Sequence, residues 1–313
     1  MSDHMTTHYT LAELKGRHLT ETGYEIEGVY RLAGWVKRRA LDGQTYIQLR
    51  LADLSGHMEC YGWLRQLQQT RHLGYCDLVY VKGQLREYRG ETVADLDVLE
   101  TANTLELDNQ PLLNTLPLII CPIPNALLEL AGLIDSIEHP GLRALVREVL
   151  EIPAIAPAFV TASSHHAVHA YPGGLLLHTL DMVRTLHTLP MLPKQQREIA
   201  MVAGLLHDIG RIWTPQHDAF AKLIGNGSLT LEACATGLLI LSNDYPAVAE
   251  TLRHILTQPP ATKPIRQKGA TALVHAVQMA DWLSAENHPE LHVNQPALAQ
   301  TSASRSRFRH RTN

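Results

Sequence analysis

Apolar and polar positions follow two different rhythms along this chain. From about residue 27 to 103 they form short runs with a period near two, the spacing of half-buried strands. Val29 to Val36 reads as a first strand that ends in the basic run Lys37-Arg38-Arg39, and Asp42-Gly43 is a hairpin signal. In the next strand, Thr45 to Leu51, Tyr46, Gln48 and Arg50 alternate with Ile47, Leu49 and Leu51. Leu54-Ser55-Gly56 turns the chain into Met58–Trp63, and a more helical stretch, Leu64 to Leu73, follows. Leu78 to Leu85, a turn at Arg89-Gly90 and Thr92 to Leu99 complete five strands. Five short strands with a helical insert between the third and fourth is the order of an OB-fold barrel.

Beyond residue 125 the period becomes helical. Leu127, Leu128, Leu130, Leu133 and Ile134 share one face, and Leu142, Leu145, Val146 and Leu150 share another. Helical patterning continues to about Glu286. Between the two regimes stand Pro111, Pro117, Pro122 and Pro124, a density that continues neither a helix nor a central strand. The expected fold class is α+β multidomain. It comprises an N-terminal segment (1–26), a five-stranded OB-fold β-barrel (27–103), a Pro-rich linker (104–124), an all-α domain (125–290) and a basic disordered tail (291–313).

Composition narrows the function classes. The chain has 313 residues, room for two domains at roughly 100–200 residues each. Aromatics are 5% of the chain, so Leu, Ala, Val and Ile must fill the core, which favours helix packing over a β-sandwich. A net charge of −4 excludes a uniformly basic nucleic-acid coat, and strand binding would need a local patch. The four cysteines form no CxxC pair, and no apolar run approaches 20 residues. The expectation is a cytoplasmic, membrane-free protein, with room for a homo-oligomer. Eighteen histidines are the compositional oddity, because His is the commonest metal ligand.

Three of the apolar helices carry polar residues at positions that suggest a metal. Gly173-Gly174 starts a helix with His178 about one turn in, and Ala200 to Leu206 runs into His207-Asp208-Ile209-Gly210-Arg211. Adjacent side chains on a helix diverge, so His207 and Asp208 reach one point only where the helix ends, as Gly210 suggests. Asp281 lies inside the apolar helix Ala276–Trp282, a costly place unless it is paired or metal-bound. Two imidazoles and two carboxylates make a mixed nitrogen–oxygen shell for a divalent ion, which would lower the pKa of a water and offset phosphoryl charge. Arg211, one turn on, would hold a phosphate through its planar fork.

These motifs resemble those of the HD superfamily. With a barrel upstream, the chain resembles the YhaM-type 3′–5′ exoribonucleases over most of residues 27–286. The resemblance is carried by Ile137-Glu138-His139-Pro140, Ser164-His165-His166, Gly174 to His178, Leu205 to Arg211 and Met279-Ala280-Asp281. The stretch His165 to Gly174 also looks like the HD domains of conjugative relaxase (TraI-like) proteins. The resemblance implies His178, His207, Asp208 and Asp281 as metal ligands, with His254 a further one. Asp208 and Arg211 would be catalytic, and His165 and His166 would stand at the substrate mouth. It also implies one divalent ion, Mn2+ first and Mg2+, Fe2+ or Ni2+ after it, and hydrolysis of phosphodiesters from a 3′ end. The chain departs from the family where Gly225 to Glu232 lacks a histidine, where Thr257-Gln258-Pro259-Pro260 replaces a His-His pair, and where Arg211 replaces lysine. These departures point to one metal rather than two.

On the barrel, a single strand would be gripped by aromatic stacking beside a basic groove. Trp35, Tyr46, Tyr61, Trp63 and Tyr88 are the aromatic candidates, with Lys37, Arg38, Arg39, Arg50 and Arg86 as cations. Three functions remain open on this reading. They are a metal-dependent exonuclease on single-stranded RNA or DNA, an HD phosphohydrolase of small nucleotides, and a non-catalytic strand-binding accessory protein of conjugation or mobile elements.

Overall fold

The computed structural model describes residues 9–17, 24–65, 73–102, 112–150, 152, 154–164, 167–213, 223–258 and 271–286. Its N-terminal part is a closed barrel of five strands: β1 (Tyr24–Arg39), β2 (Thr45–Asp53), β3 (Gly56–Trp63), β4 (Leu78–Tyr88) and β5 (Glu91–Thr101). The order around the barrel is β1-β2-β3-β5-β4, and β4 pairs back onto β1. All pairs are antiparallel except β3 with β5. This is the expected OB-fold order.

β1 is longer than its apolar pattern suggests, because it serves two partners. Tyr24 to Arg31 pair with β4, Arg31 to Arg39 pair with β2, and an irregularity between Leu32 and Gly34 turns the strand from one to the other. On β2, Ile47, Leu49 and Leu51 fill the barrel while Tyr46, Gln48 and Arg50 face outward, as the alternation predicts. A short helix, α1 (Leu11–Lys15), caps the barrel with buried Leu11 and Leu14. Buried Asp53 secures it by accepting from the Leu11 N–H at 2.8 Å. Of the helical stretch expected over Leu64–Leu73, Leu64 and Arg65 form a turn and residues 66–72 lie outside the described residues.

The remaining part is helical: α2 (Ala126–Ser136), α3 (Pro140–Leu150), α4 (Ile155–Thr161), α5 (Gly174–His187), α6 (Lys194–Leu206), α7 (Asn226–Asp244), α8 (Pro246–Leu256) and α9 (Ala272–Glu286). One apolar core runs through all of them. α5 packs against α6 and α9, and α7 packs against α3 and α8. The Pro-rich segment is more than a spacer. Residues 112–120 form two 3-10 turns, and Leu113, Leu116 and Cys121 are buried in the helical core. Its prolines stop long helices, but its leucines still have apolar surface to bury. The same segment ties back to the barrel, since Asn114 O accepts from Leu54 N–H and Thr115 Oγ1 accepts from buried Arg31.

Candidate metal centre and strand-binding groove

Two glycines shape the helix ends at the centre. Gly173 takes a left-handed φ of 81° at the start of α5, and a Cβ on Gly174 would sit 1.9 Å from His169 O. The chain therefore turns tightly into α5 and sets His178 fully inside the bundle. α6 ends at Leu206, with His207 as its C-cap, and Ile209–Trp213 continues as a 3-10 turn. The helix end expected at Gly210 comes earlier, at Leu206, with Gly210 inside the 3-10 turn that follows, and this end lets His207 and Asp208 face the same region. Gly210 also allows α7 to approach, because a Cβ there would lie 2.6 Å from Thr230 N and 2.7 Å from Asn226 O.

His178, His207 and Asp281 come together. One ligand atom from each lies within 4.8 Å of the others. His178 Nε2 is 3.3 Å from Asp281 Oδ1, which is 3.9 Å from His207 Nε2. Asp208 Oδ2 stands at the edge of the group, 3.5 Å from His207 Nε2. It also meets Arg211 Nε at 2.6 Å, while Asp208 Oδ1 accepts from Asn226 Nδ2 at 2.8 Å. His254 is not in the three-residue group; its Nδ1 faces Gln258 Nε2 at 3.5 Å. His165 and His166 lie outside the described residues.

Proton positions test whether this donor set suits a cation. His207 Nδ1 is 2.8 Å from Gly204 O. A carbonyl only accepts, so Nδ1 carries the hydrogen and Nε2 is the ring atom that can offer a lone pair to a metal. That atom faces two carboxylate oxygens, Asp208 Oδ2 and Asp281 Oδ1. Arg211 meets part of this negative charge at Asp208, and a further positive charge among His178, His207 and Asp281 would meet the rest. Burial pulls the His178 pKa down to about 4, against the opposing effect of Asp281, so this ring does not supply it as a proton near neutrality. A divalent ion with nitrogen and oxygen ligands fits the set.

A cavity of about 440 Å³ opens beside the group, lined by His207, Asp208, Arg211 and Asp281 on one side and by Leu231, Ile255, Val274 and Val277 on another. Gly225 to Ser228, the start of α7, form part of the same wall. No side chain caps this start, so its first N–H groups favour an anion in the cavity. Thr257 and Gln258 line the cavity too.

Residues 175–286 match the family model for the HD domain. The 3′–5′ exoribonuclease YhaM of Listeria innocua is 23% identical over 245 residues, covering 75% of this chain and 76% of that protein. The protein of the same name from Bacillus subtilis is 24% identical over 210 residues, covering 63% of this chain and 62% of its own length. Residues 175–286 are thus an HD domain, and the chain as a whole is similar to YhaM-type proteins. Its HD helices hold the metal-suited cluster just described.

The barrel has a second cavity, of about 500 Å³, lined by Tyr46, Tyr61, Trp63, Arg86 and Tyr88 together with Asp95 and Asp97. The rings form a row. Trp63 to Tyr46 is 5.8 Å, Tyr46 to Tyr61 is 6.3 Å and Tyr61 to Tyr88 is 6.3 Å between centroids. Arg86 lies over Tyr61 and Tyr88 and pairs with Asp95 at 2.5 Å. The other expected contacts stand elsewhere. Trp35 is part of the barrel wall and donates Nε1–H to Leu73 O at 3.0 Å, with Lys37 Nζ 5.9 Å from its ring. Arg50 pairs with Glu59 at 2.6 Å, and Arg38 Nε reaches Gln48 Oε1 at 3.4 Å.

Three residues beside the metal cluster escaped the sequence reading. Asn226 grips both Asp208 and the His207 carbonyl, and its only signal was its place in the Gly-Asn segment after the HD pair. His169 and Ser284 pack against the far side of His178, and nothing in their spacing announces it. Among the described residues, no helix is long and apolar enough to cross a membrane.

Proposed function

We propose that this chain is a metal-dependent 3′–5′ exonuclease of single-stranded nucleic acid, in which residues 27–103 hold the strand and residues 125–290 hydrolyse its end. The observation that carries the reading is the meeting of His178, His207 and Asp281 within 4.8 Å beside a cavity lined by Arg211. His178, His207, Asp281 and Asp208 would hold one divalent ion, Mn2+ first. The ion would supply an acidified water and a counter-charge for the phosphoryl oxygens.

The chain's own groups do the rest. Arg211 and the first N–H groups of α7 hold the scissile phosphate. Asp208, tied by Asn226 and Arg211, fixes Arg211's guanidinium toward the cavity and offers a carboxylate oxygen to a proton leaving water. Leu231, Ile255, Val274 and Val277 give the terminal nucleoside an apolar wall and exclude water from it. On the barrel, the row from Trp63 to Tyr88 gives successive bases faces to stack on, and Arg86 accompanies the backbone. The 3′–5′ exoribonuclease activity in the names of the YhaM relatives supports an exonuclease reading.

The test is a 5′-labelled single strand, RNA and DNA in parallel, incubated with the full chain and Mn2+. The expected result is a ladder that shortens from the 3′ end and disappears in Asp208→Ala. Cleavage confined to mononucleotide or cyclic substrates would replace this reading with a small-nucleotide phosphohydrolase. Tight strand binding without turnover would replace it with an accessory binding protein.

A further inference from the structure

The inward residues of β5 change phase once. Ala94, Leu96 and Leu99 all lie in the barrel core, a step of two followed by a step of three. A strict period of two would have sent Val98 inward instead. The cause is a bulge. Pairing with β4 passes from Lys82–Val98 directly to Gly83–Leu96, which leaves Asp97 as the extra residue on β5. Gly83 makes the bulge possible, because a Cβ there would sit 2.1 Å from Asp95 O and 2.8 Å from Leu96 Cα. The two backbones touch at this point, so a side chain at Gly83 would force one of them to move.

The bulge sets a carboxylate in the aromatic groove. Asp97 is exposed and lines the cavity together with Tyr46, Tyr61, Trp63 and Tyr88. Its neighbour Asp95 accepts from Arg86 through both carboxylate oxygens, whereas Asp97 has no hydrogen bond or ion pair among the described residues. The lining therefore sets one cation against two carboxylates, which repels phosphates and leaves the bases of a strand to enter. A carboxylate only accepts hydrogen bonds, and it has two oxygens to fill. Guanine is the base that presents two adjacent donors on its Watson–Crick edge, N1–H and the 2-amino group. Adenine and cytosine place an acceptor nitrogen beside their amino group. Uracil and thymine flank a single N–H with two carbonyls, which a carboxylate repels.

We propose that Asp97 is a specificity-determining residue that accepts from the Watson–Crick edge of a guanine stacked in the barrel groove. The proposal rests on the strand-binding reading of that groove and not on the metal centre. Stacking on the row from Trp63 to Tyr88 is open to every base, so Asp97 adds to it a preference that the rings alone do not have.

The test uses the full chain with a chelator present, so that no metal-dependent cleavage intervenes. The probes are fluorescein-labelled oligouridine strands with one central guanosine, inosine, adenosine or uridine, and binding is read by anisotropy. Inosine differs from guanosine only in lacking the 2-amino group. Wild type is expected to bind the guanosine strand about 10-fold more tightly than the inosine or adenosine strand, the scale of one bidentate base contact. Asp97→Asn keeps the shape but replaces one acceptor with a donor, and it should bring these three strands within about 2-fold of one another, as stacking alone would. Its thermal midpoint should match that of wild type. Asp95→Asn removes a partner of Arg86 instead, and it should shift all four strands together while the guanosine preference stays. A wild type without the preference, or an Asp97→Asn that retains it, overturns the proposal and leaves the strand-binding reading standing. Failure of the wild type to bind any of the four strands overturns both.

Discussion

Arg211 Nε lies 2.6 Å from Asp208 Oδ2, and the same oxygen is 3.5 Å from His207 Nε2. One carboxylate thus joins the phosphate-facing cation to the metal cluster. Removing Arg211 would take its nearest cation from a carboxylate that is almost wholly buried. Arg211→Ala is expected to lose about 3 kcal/mol of stability, the low end for a broken buried pair. It should also lower turnover at least ~100-fold, the scale of one lost charge-stabilising donor. Arg211→Lys keeps the charge but not the planar fork and should fall between. Urea unfolding and initial rates on a labelled strand measure the two effects.

The aromatic candidates on the barrel divide by what they touch. Tyr61 and Trp63 line the groove, whereas Trp35 holds the Leu73 carbonyl and packs on the barrel core. Tyr61→Ala and Trp63→Ala should each weaken single-strand binding by about 1–3 kcal/mol, with little change in melting temperature. Trp35→Ala should do the reverse, losing stability while the binding that remains keeps its affinity. Fluorescence anisotropy beside thermal melts separates the two groups, and equal binding losses at all three positions would contradict the assignment.

Gly210 is a close-approach position. A methyl group there meets the backbone at Thr230 N and Asn226 O, neither of which yields without moving α7. Gly210→Ala should cost about 1–3 kcal/mol and detach Asn226 from Asp208, lowering activity as well. Gly204→Ala is the comparison, because its nearest atom is the tip of Leu186 at 2.9 Å, a side chain that can rotate away. Thermal midpoints should fall further for Gly210→Ala than for Gly204→Ala.

The fold and the site were legible in the sequence to different depths. Strict alternation from Tyr46 to Leu51 identified β2 and its inner face, because the period of two is a direct consequence of the pleat. The cluster was legible because His178 and Asp281 are polar residues in apolar helices, and because Gly210 signalled a nearby helix end, which falls at Leu206 beside His207. What the sequence hid were contacts between distant elements. Ser284 and His169 are 115 residues apart, and a buried serine in a helix reads the same whether it packs or orients a ligand. Leu113 and Leu116 were masked by neighbouring prolines, which announce a break in secondary structure but say nothing about burial. The extra length of β1 was hidden likewise, since pairing with two partners is a property of barrel closure.

Acid should weaken the metal-free fold through His178. Its folded pKa of about 4 lies below the ordinary 6.5, so the unfolded chain takes the proton first. The stabilisation is complete above about pH 6.5 and is lost as pH falls toward 4. At about 1.4 kcal/mol per unit, the window holds on the order of 3 kcal/mol. In chelator-treated protein, urea midpoints should drop across this range, and His178→Gln should flatten part of the slope. Equal slopes in the two proteins would contradict the burial argument.

One divalent ion would be held by His178, His207 and Asp281 with Asp208 at its edge. Free Mn2+ gives a six-line electron paramagnetic resonance signal that is lost on binding, so a titration counts sites directly. Saturation at one Mn2+ per chain is expected, with affinity reduced at least ~100-fold, or about 2.7 kcal/mol, in His207→Ala. No bound Mn2+, or binding that His207→Ala leaves unchanged, would contradict this assignment.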